Sequence, residues 1–282
     1  MVYVFCAFYG ECSGLIKHYN LKKRQTDKYY RFDVFENENQ PVRIILTGQG
    51  SVMAAAAVSG AASFFGIKAE DAIINVGTCA GDYEPGQVFI CNKITEEATG
   101  RTFYPDMILR SGLPERGLVT VSVVINKPIH EYVNKDSHNM ALYDMEAAAI
   151  YQAANLYVGP HRMGFVKVVS DNGDIEGLTP DFIKKLMAEA VDEIASYVDM
   201  FVTDTHDMCR AEESTQFTNQ LCKDLHCSKV MENQVRQLIK YLSLEGTDYM
   251  TYISRLYDEG RLPAHDKKNG KVCLDEIKRE LL

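Results

Sequence analysis

Basic residues are in short supply in this chain: 30 Lys and Arg stand against 39 Asp and Glu, a net charge of −9. A nucleic-acid binder draws its affinity from cations that neutralise phosphates, so that class of partner is excluded. No run reaches the roughly 18 apolar residues of a membrane helix, and no membrane partner is expected. The opening segment MVYVFCAFYGEC has no basic stretch ahead of its apolar run, so it is read as a buried strand rather than a signal peptide. Eight cysteines are scattered along the chain. Without a secretion signal they are expected to be reduced thiols in a cytoplasmic protein. Neither a dinucleotide-binding nor a P-loop glycine fingerprint occurs. What is present is an ordinary globular balance, 46% hydrophobic and 24% charged over 282 residues. That length suffices for one large domain and a small appendage, and the charge suits a small, weakly charged ligand.

Short β-branched and aromatic runs alternate with helical patterns, the mark of an α/β core. Strands are expected at 2–9, 41–48, 71–77, 87–94, 119–125 and 164–171. Helices are expected at about 13–18, in the Ala-rich stretch after Gly50, at 142–156 and at 181–202. Beyond residue 203 the character changes. The stretch 205–220 is polar and reads as a linker, and 220–245, 248–259 and 275–282 read as amphipathic helices. The expected division is an α/β domain over 1–202 and a helical extension over 203–282, whose role the sequence does not disclose.

Four features carry chemistry. Glu11 stands just past the end of the first strand, where open α/β sheets place ligands; in isolation it is an ordinary surface acid. Two glycine-bearing turns, Gly48-Gln49-Gly50 and Gly77-Thr78-Cys79-Ala80-Gly81, could bring backbone N–H groups close to a ligand or serve turning alone. Asp144-Met145-Glu146 opens an Ala-rich helix. A dipole-complementing acid explains Asp144, whereas Glu146 faces close packing and needs a partner or a ligand. Ser170-Asp171 ends a strand, where Asp171 is either a turn cap with Asn172-Gly173 or a protonated general acid.

In this order, IINVGTCAG (73–81), DMEAAAI (144–150) and VVSDNGD (168–174) resemble the nucleoside phosphorylase and nucleosidase superfamily. Within it the chain looks most like the 5′-methylthioadenosine/S-adenosylhomocysteine nucleosidases, over roughly residues 1–200. The resemblance implies a central mixed twisted β-sheet flanked by helices, here with a small C-terminal α-helical extension. It implies cleavage of the N-glycosidic bond of a purine nucleoside. Asp171 would protonate or hydrogen-bond the base at N7, with Ser170 orienting it. Glu146 would bind ribose hydroxyls, Met145 would pack under the sugar, and Glu11 would activate water. Thr78, Cys79, Ala80 and Gly81 fall in the substrate-binding turn, and Val123 and Val124 at the position facing the base. An oxocarbenium-like transition state needs an acid at the leaving group and a nucleophile on the opposite face. No metal or organic cofactor is called for. The expected partner is a small nucleoside substrate, and the resemblance adds a homodimer in which a neighbouring subunit helps close the pocket at the 5′ end.

The phosphorylases of the superfamily carry an early GDP-x-R segment and an Arg before the V-G-[ST] turn. Here AFYGEC and Asn75 stand instead, which favours water over phosphate as nucleophile. Arg101 keeps phosphate-dependent cleavage open as an alternative. A catalytically silent nucleoside-binding module with a helical interaction domain is a second. The chain departs from the family at Val123-Val124, where a stacking aromatic is expected; Phe103 or Tyr104 could supply it. It departs again at Lys167, where Arg is expected. In the tail, His206, Cys209, Cys222, His226 and Cys227 offer zinc-ligand types at a non-standard spacing, and scattered thiols are the simpler reading.

Overall fold

The computed structural model describes residues 1–25, 28–129, 141–245 and 247–281, with backbone alone at 205–215 and 243–244. It divides into two compact units, Met1–His206 and Asp207–Leu282. None of the described helices is long and apolar enough to cross a membrane.

The first unit is built on a mixed sheet. Strand β1 (Val2–Cys6) pairs in parallel with β4 (Val42–Leu46) on one side and β5 (Ala72–Ala80) on the other. Two short strands, β2 (Lys22–Lys23) and β3 (Val34–Glu36), continue antiparallel beyond β4. Beyond β5 the pairings close on themselves. β10 (Met163–Asp171) lies parallel to β5 and antiparallel to β6 (Val88–Glu96). β6 runs parallel to β8 (Glu115–Thr120), and β8 parallel to β9 (Leu142–Asp144). β9 returns to β5 through Ala80 and Tyr143. The two-residue β7 (Thr102–Phe103) pairs with β6.

Both faces of β1 are buried, which is why it reads as an unbroken apolar run rather than an alternating one. Val2, Val4 and Cys6 face the core shared with helices α1 (Tyr9–His18), α4 (Pro180–Glu189) and the start of α5 (Val191–Asp224). Tyr3 and Phe5 face the core beneath α2 (Ser51–Phe65) and α3 (Ala147–Ala154). Small side chains on α2 and α3, such as Ala54, Ala57, Ala147 and Ala148, are wholly buried and let these helices lie close.

Several elements differ from expectation. The first helix begins at Tyr9, so Glu11 lies in its first turn and not ahead of it. Residues 142–144 form a strand because β8 pairs with them, and the helix starts only at Ala147. The strand expected over 119–125 ends at Thr120, whose successor Val121 donates its N–H to Asp144 O at 2.8 Å. Thr78, Cys79 and Ala80 continue β5 and form no turn. The helix expected over 181–202 is broken at Ala190. The polar stretch read as a linker is helical inside α5, since it holds helix formers and neither Gly nor Pro.

In the second unit, α5 ends in a left-handed His226 with a hydrogen bond from Cys227 N–H to Cys222 O, a helix-closing turn. Helices α6 (Lys229–Glu245), α7 (Tyr249–Asp258) and α8 (Lys267–Leu281) then enclose Leu225, Val235, Leu242, Ile253 and Ile277. Gly270 sits inside α8 because a Cβ there would stand 1.9 Å from Leu225 O. Helix propensity alone favours alanine over glycine by about 1 kcal/mol. Close approach decides otherwise: Gly270→Ala is expected to lower the thermal midpoint of this unit. A midpoint raised in a calorimetric scan would contradict the packing.

Candidate functional site

Glu11 reaches the site because α1 starts at once after β1. Its carboxylate docks against β5 at the stretch that β1 leaves after Asn75 and β9 rejoins only at Ala80. There Thr78 donates both its N–H (2.7 Å) and its hydroxyl (2.9 Å) to Oε1, while the Ala7 N–H donates to Oε2 at 2.8 Å. The residue is buried, with 4% exposure. Burial pushes its pKa up, and the Thr78 and Ala7 bonds and the Lys167 charge hold the rise back. A carboxylate so placed accepts a proton more readily than an exposed one. Gly77 is what makes room: a Cβ there would lie 3.0 Å from Glu11 Oε1.

Asp144 and Glu146 divide two roles. Asp144 accepts from the Thr120 hydroxyl (2.7 Å) and the Ala147 N–H (2.8 Å), tying β9 to β8 and capping α3. It also pairs with the buried ammonium of Lys167 at 2.8 Å. Burial alone would lower the Lys167 pKa, but Asp144, Glu146 and Glu11 together raise it, so the ammonium keeps its proton. Glu146 takes the Gly50 N–H at 2.7 Å. The Gly48–Gly50 turn is therefore folded onto Met145 and Glu146, with Ser51 donating its hydroxyl to Met145 O at 3.1 Å. Burial first, then the Asp144 charge, push the Glu146 pKa up to about 7.

Asp171 ends β10. Its Oδ1 accepts the Gly173 N–H (2.8 Å) and its Oδ2 the Ser170 hydroxyl (2.7 Å), so it serves as a turn cap while also facing a cavity. Burial raises its pKa against the lowering effect of these two bonds. The cavity holds about 250 Å³. Of the eleven residues to which the resemblance assigns a role, Glu11, Thr78, Cys79, Ala80, Val124, Met145, Glu146, Ser170 and Asp171 line it.

Two do not. Val123 points outward, 68% exposed, because β8 has ended and the following loop turns Val121 and Ile125 inward instead. Gly81 lies behind the wall, donating its N–H to Asp171 O at 2.8 Å. Neither Phe103, stacked on Tyr151, nor Tyr104 reaches the cavity; its aromatic walls are Phe8 and Tyr143. Phe8 precedes Glu11 and Tyr143 precedes Asp144, so neighbourhood to those acids was the available signal. Among the described residues no Arg or Lys lines the cavity, and Arg101 instead bonds Gln152 Oε1 at 3.0 Å. No group of three or more His, Cys, Asp or Glu is placed to hold a metal among the described residues. The His206 and Cys209 side chains lie outside them, and His226 Nε2 pairs with Ala264 O at 3.0 Å.

Two outcomes are expected. A crystal structure of Gly77→Ala shows the Glu11 carboxylate displaced from the Thr78 N–H; an unmoved carboxylate would refute the constraint. The second concerns stability. An acid whose pKa is raised by folding adds nothing below its unfolded value and costs stability as it ionises. For Glu146 that cost grows from pH 4.5 to about 7. Glu146→Gln therefore flattens the loss of thermal stability across this window, and an unchanged slope would contradict the burial argument.

Comparison with known proteins leaves the sequence unmatched: no family model and no curated protein matches the chain. Solved structures match over about 70% of the chain. A 5′-methylthioadenosine/S-adenosylhomocysteine nucleosidase from Neisseria meningitidis, in complex with methylthio-immucillin-A, aligns with a TM-score of 0.57 at 22% identity, over 70% of this chain and 97% of that one. Futalosine hydrolase of Helicobacter pylori aligns at 0.58 and 12% identity, over 71% and 97%. The Arabidopsis thaliana 5′-methylthioadenosine nucleosidase aligns at 0.58 and 17%, over 71% and 95%. The α/β unit has the nucleosidase fold.

Proposed function

We propose that this chain hydrolyses the N-glycosidic bond of a purine nucleoside, with Asp171 as general acid at the base, Glu146 on the ribose hydroxyls and Glu11 activating water. The observation that carries the reading is the convergence of these three acids, from three different strand–helix junctions, on one cavity without a lining cation among the described residues. Each acid suits its role. Asp171 has a raised pKa and a hydroxyl partner in Ser170, so a proton can be shared with the departing base. Glu146, with a pKa near 7, can bond ribose hydroxyls as acceptor, and such bonds strengthen as the sugar gains positive charge. Glu11 is fixed by four donors and keeps its shape while it orients a water molecule.

The solved structures that share the fold are named for methylthioadenosine, S-adenosylhomocysteine and futalosine, which supports a 5′-modified purine nucleoside as substrate. A phosphorylase needs a cation for the phosphate, and Arg101 is turned to Gln152 and Phe103 instead. The reading includes a homodimer. Phe8, Val124 and Ile175 line the cavity yet stay 43–68% exposed together with Val123, an apolar rim that suits coverage by a second copy.

Chromatography after incubation with methylthioadenosine, S-adenosylhomocysteine, adenosine and inosine is expected to show free base at equal rates with and without phosphate. Asp171→Asn and Glu11→Gln each lower the rate by roughly 10²–10⁴-fold with folding retained. Release that requires phosphate would sink the hydrolytic reading. Binding without release would instead leave a nucleoside-binding module. Light scattering of the purified protein is expected to give twice the 31.8 kDa chain mass.

A further inference from the structure

Val123 and Val124 stand where an aromatic facing the base is expected, and among the described residues the sheet supplies one from another direction. Ala80 on β5 pairs with Asp171 on β10 across one edge and with Tyr143 on β9 across the other. The register is irregular at Ser170, which brings Asp171 level with Ala80, so Asp171, Ala80 and Tyr143 stand in one row across the three strands. All three line the cavity. With strands about 4.8 Å apart, the two outer backbones stand roughly 10 Å from one another, and the methyl of Ala80 is the floor between them. Val121 and Ile125 pack with Tyr143 in one small apolar cluster, and Met145 packs against it. The residue as a whole is 7% exposed.

We propose that Tyr143 is the aromatic wall of the base slot and a specificity-determining residue, with the base lying against its ring above Ala80 and presenting its imidazole edge to Asp171. The inference rests on the nucleoside reading above. A bicyclic purine offers Asp171 an imidazole nitrogen while keeping a full ring face on Tyr143. A pyrimidine base has no such nitrogen. Stacking on the base is present equally in substrate and transition state, so it acts on KM and leaves kcat alone.

The test compares Tyr143→Phe, which keeps the ring, with Tyr143→Met, which fills a similar volume without one. Against the best purine nucleoside, Tyr143→Met is expected to show a KM about tenfold above that of Tyr143→Phe, with the kcat values of the two variants within about twofold of one another. An unchanged KM in Tyr143→Met, or an equal loss in Tyr143→Phe, would overturn the assignment. Calorimetry of the unaltered protein provides a measurement free of folding effects. Free adenine or hypoxanthine is expected to bind at least about tenfold more tightly than cytosine or uracil, and equal affinities overturn it. The two failures separate cleanly. A protein that releases no base, but whose adenine affinity falls about tenfold in Tyr143→Met, contradicts hydrolysis and supports the slot.

Discussion

One buried ion pair underlies the arrangement of the site. The Lys167 ammonium, 1% exposed on β10, meets Asp144 Oδ2 at 2.8 Å, and its charge also acts on Glu146 and Glu11. Three carboxylates gathered in a low-dielectric interior would otherwise repel one another and protonate. Removing a single member of such a pair costs about 3–5 kcal/mol, because the other charge is left buried and alone. Asp144 gives the ammonium a fixed partner, and through the Thr120 hydroxyl and the Ala147 N–H it also sets where β9 ends and α3 begins. The placement of Glu146 follows from that junction.

The closed circuit of strands gives the acids their separate approaches. β5 is shared: β10 runs along one edge, while β1 and β9 divide the other and leave Thr78 between them. An unpaired strand N–H inside a protein needs an acceptor, and the Glu11 carboxylate is that acceptor. The same gap that would be a defect in a regular sheet becomes the seat of the Glu11 carboxylate. On the far edge, the irregular register between Val169 and Asp171 ends β10 with Asp171 level with Ala80. Glu146 has its pKa pushed up to about 7 beside these groups, first by burial and then by the Asp144 charge.

Much of this was legible from residue order. A buried strand running straight into Glu11, an alanine run following Glu146, and Asp171 after VKVVS each placed an acid where an α/β sheet opens. The alternation of strands and helices pointed to an α/β core, and the mixed character of its sheet came from the resemblance alone. What escaped the sequence was tertiary in origin. LYD joined to an alanine run has the composition of one helix, and only pairing with β8 makes it a strand. That misreading hid Tyr143, since a helical residue there would not face Ala80. Gly77 looked like a turn glycine, whereas its missing Cβ is needed by a side chain 66 positions earlier, at Glu11. Val121 to Ile125 is apolar enough for a strand, but two of its side chains turn inward from a loop and Val123 turns out. The polar stretch inside α5 lacked breakers, and its hydrophilicity alone suggested a linker.

The most direct test of the central claim, that Glu11 delivers water to a glycosidic carbon whose base is held by Asp171, is mass spectrometry of the sugar product formed from methylthioadenosine in ¹⁸O-labelled water. The arrangement predicts one ¹⁸O atom at the anomeric carbon in phosphate-free buffer, read after rapid trapping by reduction before solvent exchange. A trapped sugar without the label, or a sugar phosphate formed only when phosphate is added, would contradict it.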